Sequence, residues 1–231
     1  MISPDELKAR LASFPRKYMA NFDYVWEWKI KVESKSSAQI LDADHRKEAH
    51  ARLSKILPKW QTYRMGDSSE PLEIMKESLA TISEAYDQLR NYTLLDFDSI
   101  PRETLETVWH ELGRAKEKDG RKNKNGYYYI IAVTKPLMLI WGQTLAFDSH
   151  VRKHLAKNYR IPKYSWKWKL DEWINTMKQL SRDLKTDQRI VDLMRKESKA
   201  RYEQDVIVPY GRFLDIYYWE KPCSSRALMN R

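Results

Sequence analysis

The chain has 231 residues, with 42 lysines and arginines against 32 aspartates and glutamates, one cysteine and six glycines. One cysteine excludes a disulfide framework and a cysteine-based zinc cluster, and six glycines exclude a Gly-rich phosphate loop or a chain built on tight hairpins. A hydrophobic content of 42% excludes wholesale disorder. The net charge of +10 points to an acidic partner, and nucleic acid is the commonest one.

The first part of the chain predicts helices. Ser3 is placed to cap a helix that has Pro4 in its first turn and runs to about Ser13. Apolar and polar residues then alternate from Tyr24 to Val32, a pattern that fits a strand, but no comparable partner strand follows, so a helix or an extended arm fits equally. Helical spacing continues over residues 36–57.

The remaining chain continues the helical pattern. Apolar residues spaced by three or four from Leu72 to Leu89 predict one helix with a single buried stripe. Another helix is expected from near Ile100 to Leu112, and further ones over 127–141, 149–158, 168–184, 187–204 and 211–219. The sequence therefore predicts an all-α fold, a compact bundle of about nine or ten helices.

Domain division follows from the same pattern. We expect either one globular unit over residues 1–231 or two interlocked helical subdomains, over about 1–125 and 126–222, followed by a frayed tail at 223–231. The oligomeric state is not indicated by any feature of the sequence.

No targeting or membrane segment is evident. The first residues lack the basic and apolar regions of a signal peptide. The longest apolar run, Tyr127–Trp141, has 15 residues and is interrupted by Thr134, Lys135 and Pro136, which makes it too short to cross a bilayer. We therefore expect a cytoplasmic protein with no membrane partner.

The positive charge is concentrated in the last third of the chain. Residues 151–231 hold 19 lysines and arginines against 10 acids, which is nine of the ten excess charges. The densest part, His150–Lys169, has seven cations, no acid and interleaved aromatic residues. Cations neutralise phosphates and aromatic faces stack on bases, so this segment predicts contact with nucleic acid, and its composition does not choose DNA over RNA. The expected contact residues are Arg152, Lys153, Lys157, Arg160, Lys163, Tyr164, Trp166, Lys167 and Lys169.

Two other interpretations of this segment are open. It could be a solvated helix face whose aromatic residues turn into the core, with Trp166 to Trp168 combining core rings and a snorkelling lysine. A membrane surface is the weaker alternative, because Pro162 interrupts any long amphipathic helix.

The most specific motif leads to Asp148. Thr134 is placed to cap a helix that starts at Lys135-Pro136, and Gly142 is placed to close it. The apolar stretch 127–133 precedes this helix, so the spacing predicts helix, tight turn, helix. The loop Gln143–Phe147 follows, and it places Asp148 at the start of the next helix.

This arrangement resembles the helix-hairpin-helix DNA glycosylase superfamily. Phe147–Arg152 (Phe-Asp-Ser-His-Val-Arg) is similar to the Asp-Thr/Ser-His-Val-Arg-like run of that family, and Thr134–Gly142 looks like its second hairpin helix. Val208–Asp215 and Tyr218-Trp219 also look like the closing helix of uncharacterised bacterial proteins that share this core. The resemblance implies a helix-hairpin-helix-like element, a damaged base flipped out of duplex DNA, and stabilisation of the developing sugar cation by Asp148. It also implies that the hairpin, at Thr134, holds a DNA phosphate.

The chain departs from that family at two positions. The family hairpin is Gly-rich, whereas Ile131–Thr134 contains no glycine, which argues against a close approach of backbone to phosphate. Members that form a Schiff base carry a lysine roughly 18 residues before the aspartate, a spacing that falls on Ile130. Lys135, 13 residues before Asp148, is the candidate for that role, and its spacing argues against lyase chemistry.

Three hypotheses follow. In the first, the chain is a monofunctional glycosylase-like protein, with Asp148 in a basic groove between the N-terminal helices and the Thr134–Leu155 region. In the second, it is a non-enzymatic nucleic-acid-binding module and Asp148 only caps a helix. In the third, it is a protein-interaction module. No cofactor is expected, and no metal, because His150 and His154 have no evident third ligand.

Overall fold

The predicted helical pattern is present in the computed structural model, which describes residues 2–35, 39–63, 70–117, 120–162, 165–202 and 207–219. Within these ranges the chain forms eleven α-helices, one 3₁₀ helix and a two-stranded sheet, so the all-α class is confirmed. The elements are α1 (Pro4–Ser13), α2 (Arg16–Lys35), α3 (Arg46–Ile56), α4 (Glu70–Thr81), α5 (Ser83–Leu89), the 3₁₀ helix (Leu94–Ser99), α6 (Arg102–Arg114), β1 (Tyr128–Tyr129), α7 (Ile130–Trp141), α8 (Ser149–Leu155), β2 (Lys167–Trp168), α9 (Leu170–Thr186), α10 (Gln188–Tyr202) and α11 (Tyr210–Trp219).

The first two helices are a capped helix and a longer amphipathic one. In α1 the Ser3 side chain accepts a hydrogen bond from the Glu6 backbone N–H at 3.4 Å, which confirms Ser3 as the cap. The stretch from Tyr24 to Val32, which fitted a strand or a helix, lies within α2. The helix is favoured because it buries one face: the buried side chains of α2 recur at helical spacing, three or four positions apart. They include Phe22, Val25, Trp26 and Lys29.

The helix predicted over 36–57 is shorter in the structure. Asp42 Oδ1 accepts hydrogen bonds from the backbone N–H groups of Asp44 at 3.2 Å and His45 at 3.0 Å. A side chain that captures backbone groups in this way competes with helix formation. The chain therefore turns before α3, which begins at Arg46, while residues 36–38 lie outside the described ranges.

The helix predicted over 72–89 is divided into α4 and α5. The division falls beside Ser83, whose carbonyl oxygen accepts a hydrogen bond from Gln39 Nε2 at 3.2 Å and whose hydroxyl donates to the carbonyl oxygen of Leu41 at 2.8 Å. These partners lie more than forty residues earlier in the chain. A pattern confined to 72–89 could not reveal them, although its buried stripe continues through both helices.

The tight turn predicted at Thr134 is wrong, because α7 runs through this residue as a continuous helix. The residues before α7 are held extended instead, since β1 pairs antiparallel with β2 and the Ile130 N–H donates to the carbonyl oxygen of Trp166 at 3.0 Å. The helix therefore begins at Ile130. α7 packs against α6, so the helix pair that precedes Asp148 consists of α6 and α7, with a longer connection than a hairpin.

The core unites the two halves of the described chain. One hydrophobic cluster extends from Ile2 to Tyr218 and includes buried residues from α1 through α11, across both expected subdomains. The expected frayed tail, 223–231, lies outside the described residues. No helix in the described ranges combines the length and the apolar character needed to cross a membrane.

The turn after α7 requires a glycine at position 142, and this yields a test. Gly142 has a φ of 75°, and a Cβ there would lie 2.6 Å from the Trp26 ring and 2.9 Å from Cβ of Pro209. Gly126 has a similar φ of 68°, with nothing within 4 Å of its Cβ position. Both alanine substitutions incur about 1–2 kcal/mol for the left-handed backbone.

We expect Gly142→Ala to lower the free energy of unfolding by about 1–3 kcal/mol more than Gly126→Ala, because only the first overpacks the core. Chemical denaturation of the two variants measures this difference. Equal losses would show that the space beside Trp26 is not restrictive.

Candidate active site

A pocket of about 600 Å³ opens between the N-terminal helices and the α7–α8 region, and Asp148 lies in its wall. A cavity therefore lies between the two regions that the sequence predicts to flank a groove. Its aromatic lining consists of Phe14, Tyr18, Trp60, Tyr129, Trp166 and Trp219. Its charged lining consists of Lys59, Lys116, Lys135, Arg212, Asp148 and Asp215. The pocket therefore offers flat apolar surfaces together with fixed charges of both signs.

Asp148 both caps α8 and lines the pocket. Its Oδ1 accepts hydrogen bonds from the backbone N–H groups of His150 at 2.9 Å and Val151 at 3.0 Å, so the predicted cap is confirmed. The side chain is only partly buried. Capping and a place in the pocket are consequently compatible, and the two backbone N–H groups fix the orientation of the carboxylate.

The residue before Asp148 has an unusual backbone conformation. Phe147 is fully buried with a φ of 50°, in the left-handed region that non-glycine residues seldom adopt. Its ring packs edge-on against Trp168, with 5.3 Å between ring centroids. Backbone strain of this kind persists only where the surroundings enforce it, and it occurs preferentially at functional sites. The direction in which the chain enters Asp148 is therefore set by tertiary packing.

Ala146 is held through both of its backbone polar groups. Its N–H donates to Asp215 Oδ1 at 2.9 Å. Its carbonyl oxygen lies 2.9 Å from Thr134 Oγ1, which is also 2.9 Å from the carbonyl oxygen of Ile130. Thr134 is fully buried, so its predicted contact with nucleic acid is wrong: its hydroxyl is used inside the protein.

Lys135 lies in the same pocket as Asp148, despite its short spacing in the chain. It is 6% exposed, and its Nζ donates to the carbonyl oxygen of Trp60. Burial lowers the pKa of Lys135, while the negative charges of Asp148 and Asp215 act in the opposite direction. The ammonium group therefore ties the Trp60 segment to α7 and places a positive charge among two carboxylates.

Arg212 and Asp215 form a buried ion pair at the pocket. Arg212 Nη1 donates to Asp215 Oδ2 at 2.7 Å, and the two side chains are 4% and 3% exposed. Burial raises the pKa of Asp215 to about 6, the charge of Asp148 acts in the same direction, and Arg212 opposes both. Burial also lowers the pKa of Arg212. A charged pair this deeply buried beside a cavity marks a candidate functional group.

Trp166 forms an exposed part of the pocket wall. Its side chain is 46% exposed, and Arg152 Cζ lies 4.1 Å from the centroid of its ring. Arg152 is itself 2% exposed, and its Nη1 donates to the carbonyl oxygen of Ser165. The predicted contact of Arg152 with phosphate is therefore corrected, since this cation is buried behind Trp166 and supports the ring.

The other predicted contact residues lie outside the pocket or outside the described ranges. Lys163 and Tyr164 are not among the described residues. Three cations on α8 and the turn after it are exposed: Lys153, Lys157 and Arg160. These three do not line the pocket, so any contact they make would be beside it.

Lys167 and Lys169 interact with residues of this chain. Lys167 Nζ lies 2.8 Å from Glu117 Oε1, in a half-buried ion pair. Lys169 Nζ lies 4.9 Å from the centroid of the Tyr127 ring and remains exposed. Of the two, Lys169 is the more available to an anionic partner, because the charge of Lys167 is already paired.

Several pocket residues were not identified from the sequence: Lys59, Trp60, Lys116, Arg212, Asp215 and Trp219. Arg212 and Asp215 did give a local signal, since they are a charged pair three residues apart within the otherwise apolar helix α11. Trp60 and Lys116 gave none. They reach the pocket from separate connections, and their position depends on how helices far apart in the chain pack.

The described residues contain no group of three or more His, Cys, Asp or Glu side chains arranged to hold a metal ion. His150, one member of the i, i+4 histidine pair, packs instead against Trp219, with 5.7 Å between ring centroids.

Comparisons with protein-family models, curated proteins and solved structures return no significant match to this chain. The chemistry of the site is therefore inferred from its own residues.

The buried hydroxyl of Thr134 provides a test of its corrected role. Thr134→Val keeps the shape but removes the donor to the Ala146 carbonyl, so we expect a loss of about 1–3 kcal/mol in the free energy of unfolding. Thr134→Ser keeps the hydroxyl and serves as the control, with a smaller loss for one methyl group. Thermal and chemical denaturation measure both. Unchanged stability of Thr134→Val, with weakened DNA binding, would restore the predicted contact role.

Proposed function

We propose that this protein binds DNA and cleaves the N-glycosidic bond of a base that is turned out of the duplex into the pocket. The observation that carries the proposal is the placement of one carboxylate. Asp148 is fixed by two backbone N–H groups and by a strained residue before it, yet it lines an aromatic pocket. A volume of about 600 Å³ lies within the roughly 300–1,000 Å³ of small-molecule sites.

The proposed reaction is a hydrolysis. The bond between C1′ of the sugar and the base nitrogen breaks, its electron pair leaves with the base, and positive charge develops on the sugar. The ionised carboxylate of Asp148 stabilises that charge, and because its position is fixed in advance, little reorganisation is required. Water adds its hydroxyl to C1′, and its proton goes to the departing base.

Aromatic side chains support the choice of a nucleobase as the ligand. Every base presents a planar π-face that stacks on aromatic rings. Trp166 is exposed and braced by Arg152, while Trp60 and Trp219 line the same cavity. Turning a base out of the stack costs free energy, and stacking within such a pocket offsets part of it.

The resemblance to the helix-hairpin-helix DNA glycosylases supports the same assignment. The segment similar to the aspartate-containing run of that family is Phe147–Arg152, and it includes the carboxylate that lines the pocket. The hairpin glycines of the family are absent, so we assign phosphate contacts to exposed side chains, chiefly Lys153, Lys157 and Arg160.

Lys135 is given an electrostatic role in this proposal. Its Nζ is buried and donates to the carbonyl oxygen of Trp60. As a cation near Asp148 and Asp215, it offsets the cost of holding two negative charges in one pocket. Schiff-base chemistry is not part of the proposal.

Replacement of Asp148 tests the catalytic role. Asp148→Asn keeps a good helix cap but removes the charge, so we expect base release to fall by about 100-fold or more, with DNA binding and thermal stability retained. The measurement is single-turnover release of free base from duplexes that carry uracil, hypoxanthine, alkylated purines or oxidised purines.

The matched control is Asp187→Asn, at a carboxylate that accepts the Arg189 N–H near the start of α10, outside the pocket lining. Full base release by Asp148→Asn would disprove the assignment. If the unsubstituted protein binds the duplexes but releases none of these bases, the proposed glycosylase activity is contradicted for all the bases tested.

A second candidate function is a non-enzymatic nucleic-acid-binding module. The observation that favours it is the cap itself, because two hydrogen bonds to backbone N–H groups already account for the presence of Asp148. In this alternative the exposed cations and Trp166 bind nucleic acid, and the pocket holds a base without cleaving it.

Both functions require phosphate contacts, which salt dependence measures. We expect the logarithm of DNA affinity to fall linearly with the logarithm of salt concentration. The double variant Lys153→Gln and Lys157→Gln should reduce that slope by about two, roughly one for each lost phosphate contact. The control is Lys185→Gln with Lys196→Gln, exposed on α9 and α10, away from the pocket lining. Equal slopes for the two double variants would exclude contact through α8.

A further inference from the structure

We infer that the buried pair Arg212–Asp215 is a positioning device that fixes Asp148 in its working orientation through the backbone of Ala146. This inference rests on the proposed function for its catalytic consequence. Its structural consequence, the rigidity of the residues around Asp148, is measurable without any activity.

The connection from Asp215 to Asp148 is short. Asp215 Oδ1 accepts the Ala146 N–H at 2.9 Å, and only Phe147 separates Ala146 from Asp148. Phe147 is held with a φ of 50°. A rotation of the backbone at Ala146 would therefore also turn Asp148 and change the direction of its side chain. Asp215 therefore holds the N–H of Ala146 at the turn into Asp148, while Thr134 holds the carbonyl oxygen of the same residue.

The other end of the pair is anchored to the region of α1 and α2 that also lines the pocket. Arg212 Nη2 donates to the carbonyl oxygen of Tyr18 at 3.3 Å. Its Cζ lies 5.0 Å from the ring centroid of Phe14 and 5.3 Å from that of Phe22. The guanidinium thus links α11 to the first two turns of α2 and to Phe14 at the end of α1. Its carboxylate partner holds the loop before α8.

Stability alone does not account for this pair. Replacing a buried ion pair by apolar side chains of similar size is often neutral or stabilising, because the charges lose their hydration. The pair is instead consistent with precise positioning of the Ala146 backbone. Asp215 accepts two charge-assisted hydrogen bonds, one from Arg212 and one from Ala146, and such bonds fix direction as well as distance. Its place in the pocket lining, beside Asp148, fits that role.

The pair also gives the site a pH dependence. The charged groups that act on Asp215 are Arg212 of α11, Asp148 at the start of α8 and Lys135 of α7. Burial raises the pKa of Asp215 to about 6, so the carboxylate gains a proton as the pH falls below this value. A neutral carboxyl holds the Ala146 N–H and Arg212 more weakly, and the orientation of Asp148 should loosen on the acid side.

The test compares two substitutions at the pair with a control elsewhere. Asp215→Asn cannot titrate but keeps an oxygen that can accept from Ala146 or Arg212; because it leaves the Arg212 charge without a carboxylate, its folding is checked by thermal denaturation. The double variant Arg212→Met with Asp215→Leu removes the device and both buried charges, so that it avoids the misfolding expected when one charge is left unpaired. The control is Asp183→Asn, a carboxylate that accepts the Tyr159 hydroxyl at 2.6 Å outside the pocket lining.

Two measurements are made on each protein. The first is base release from pH 5 to 8, with kcat and KM separated. The second is amide hydrogen exchange at His150 and Val151, the two N–H groups that Asp148 caps, with the Ala156 N–H at the end of α8 as the internal reference.

For the unsubstituted protein we expect kcat to fall on the acid side with an apparent pKa near 6, and for Asp215→Asn we expect this dependence to disappear. The double variant should lose about 100-fold in kcat with KM unchanged, and its His150 and Val151 amides should exchange faster while Ala156 does not. Unchanged exchange and unchanged kcat in the double variant would overturn the inference. If no protein releases a base, the proposed function fails and the exchange rates alone decide the positioning role.

Discussion

The structure depends on a buried loop, residues 142–147, whose backbone polar groups must find partners inside the protein. The carbonyl oxygen of Gly142 accepts the Arg212 N–H at 3.2 Å, and the Ala146 N–H donates to Asp215 at 2.9 Å. Helix α11 can approach this closely because position 211 is glycine, where a Cβ would lie 2.3 Å from the carbonyl carbon of Gln143. The packing of α11 on the loop brings Asp215 into the pocket and directs Asp148 toward it.

Charge in the pocket follows from the same packing. Three charged residues of the pocket are each less than a tenth exposed: Lys135, Arg212 and Asp215. Burial lowers the pKa of the lysine and of the arginine and raises the pKa of the aspartate, so it favours the neutral form of each. The pairing of Arg212 with Asp215 and the hydrogen bond from Lys135 to Trp60 compensate part of that cost. Burial of charged groups is costly in free energy, and this cost supports the functional role that we propose for the cavity.

Local patterns predicted the features that depend on neighbours within about one helical turn. The cap at Ser3, the cap at Asp148 and the ends of the later helices were predicted within a few residues, because side chain and backbone partner lie close in sequence. The division at Ser83 and the continuous helix through Thr134 were not predicted, because the contacts that decide them are long-range. Ser83 bonds to Leu41, 42 residues earlier, and Ile130, where α7 begins, bonds to Trp166, 36 residues later.

The sequence by itself determined an all-α chain, a cationic and aromatic segment after His150, and Asp148 as a helix cap. These follow from composition and from short-range spacing. Only the tertiary structure decided that Asp148 shares a pocket with Lys135 and Asp215, and that Arg152 is buried behind Trp166. The physical reason is sequence separation: the hydrogen bond from Ala146 to Asp215 spans 69 residues, and such contacts depend on how whole helices pack.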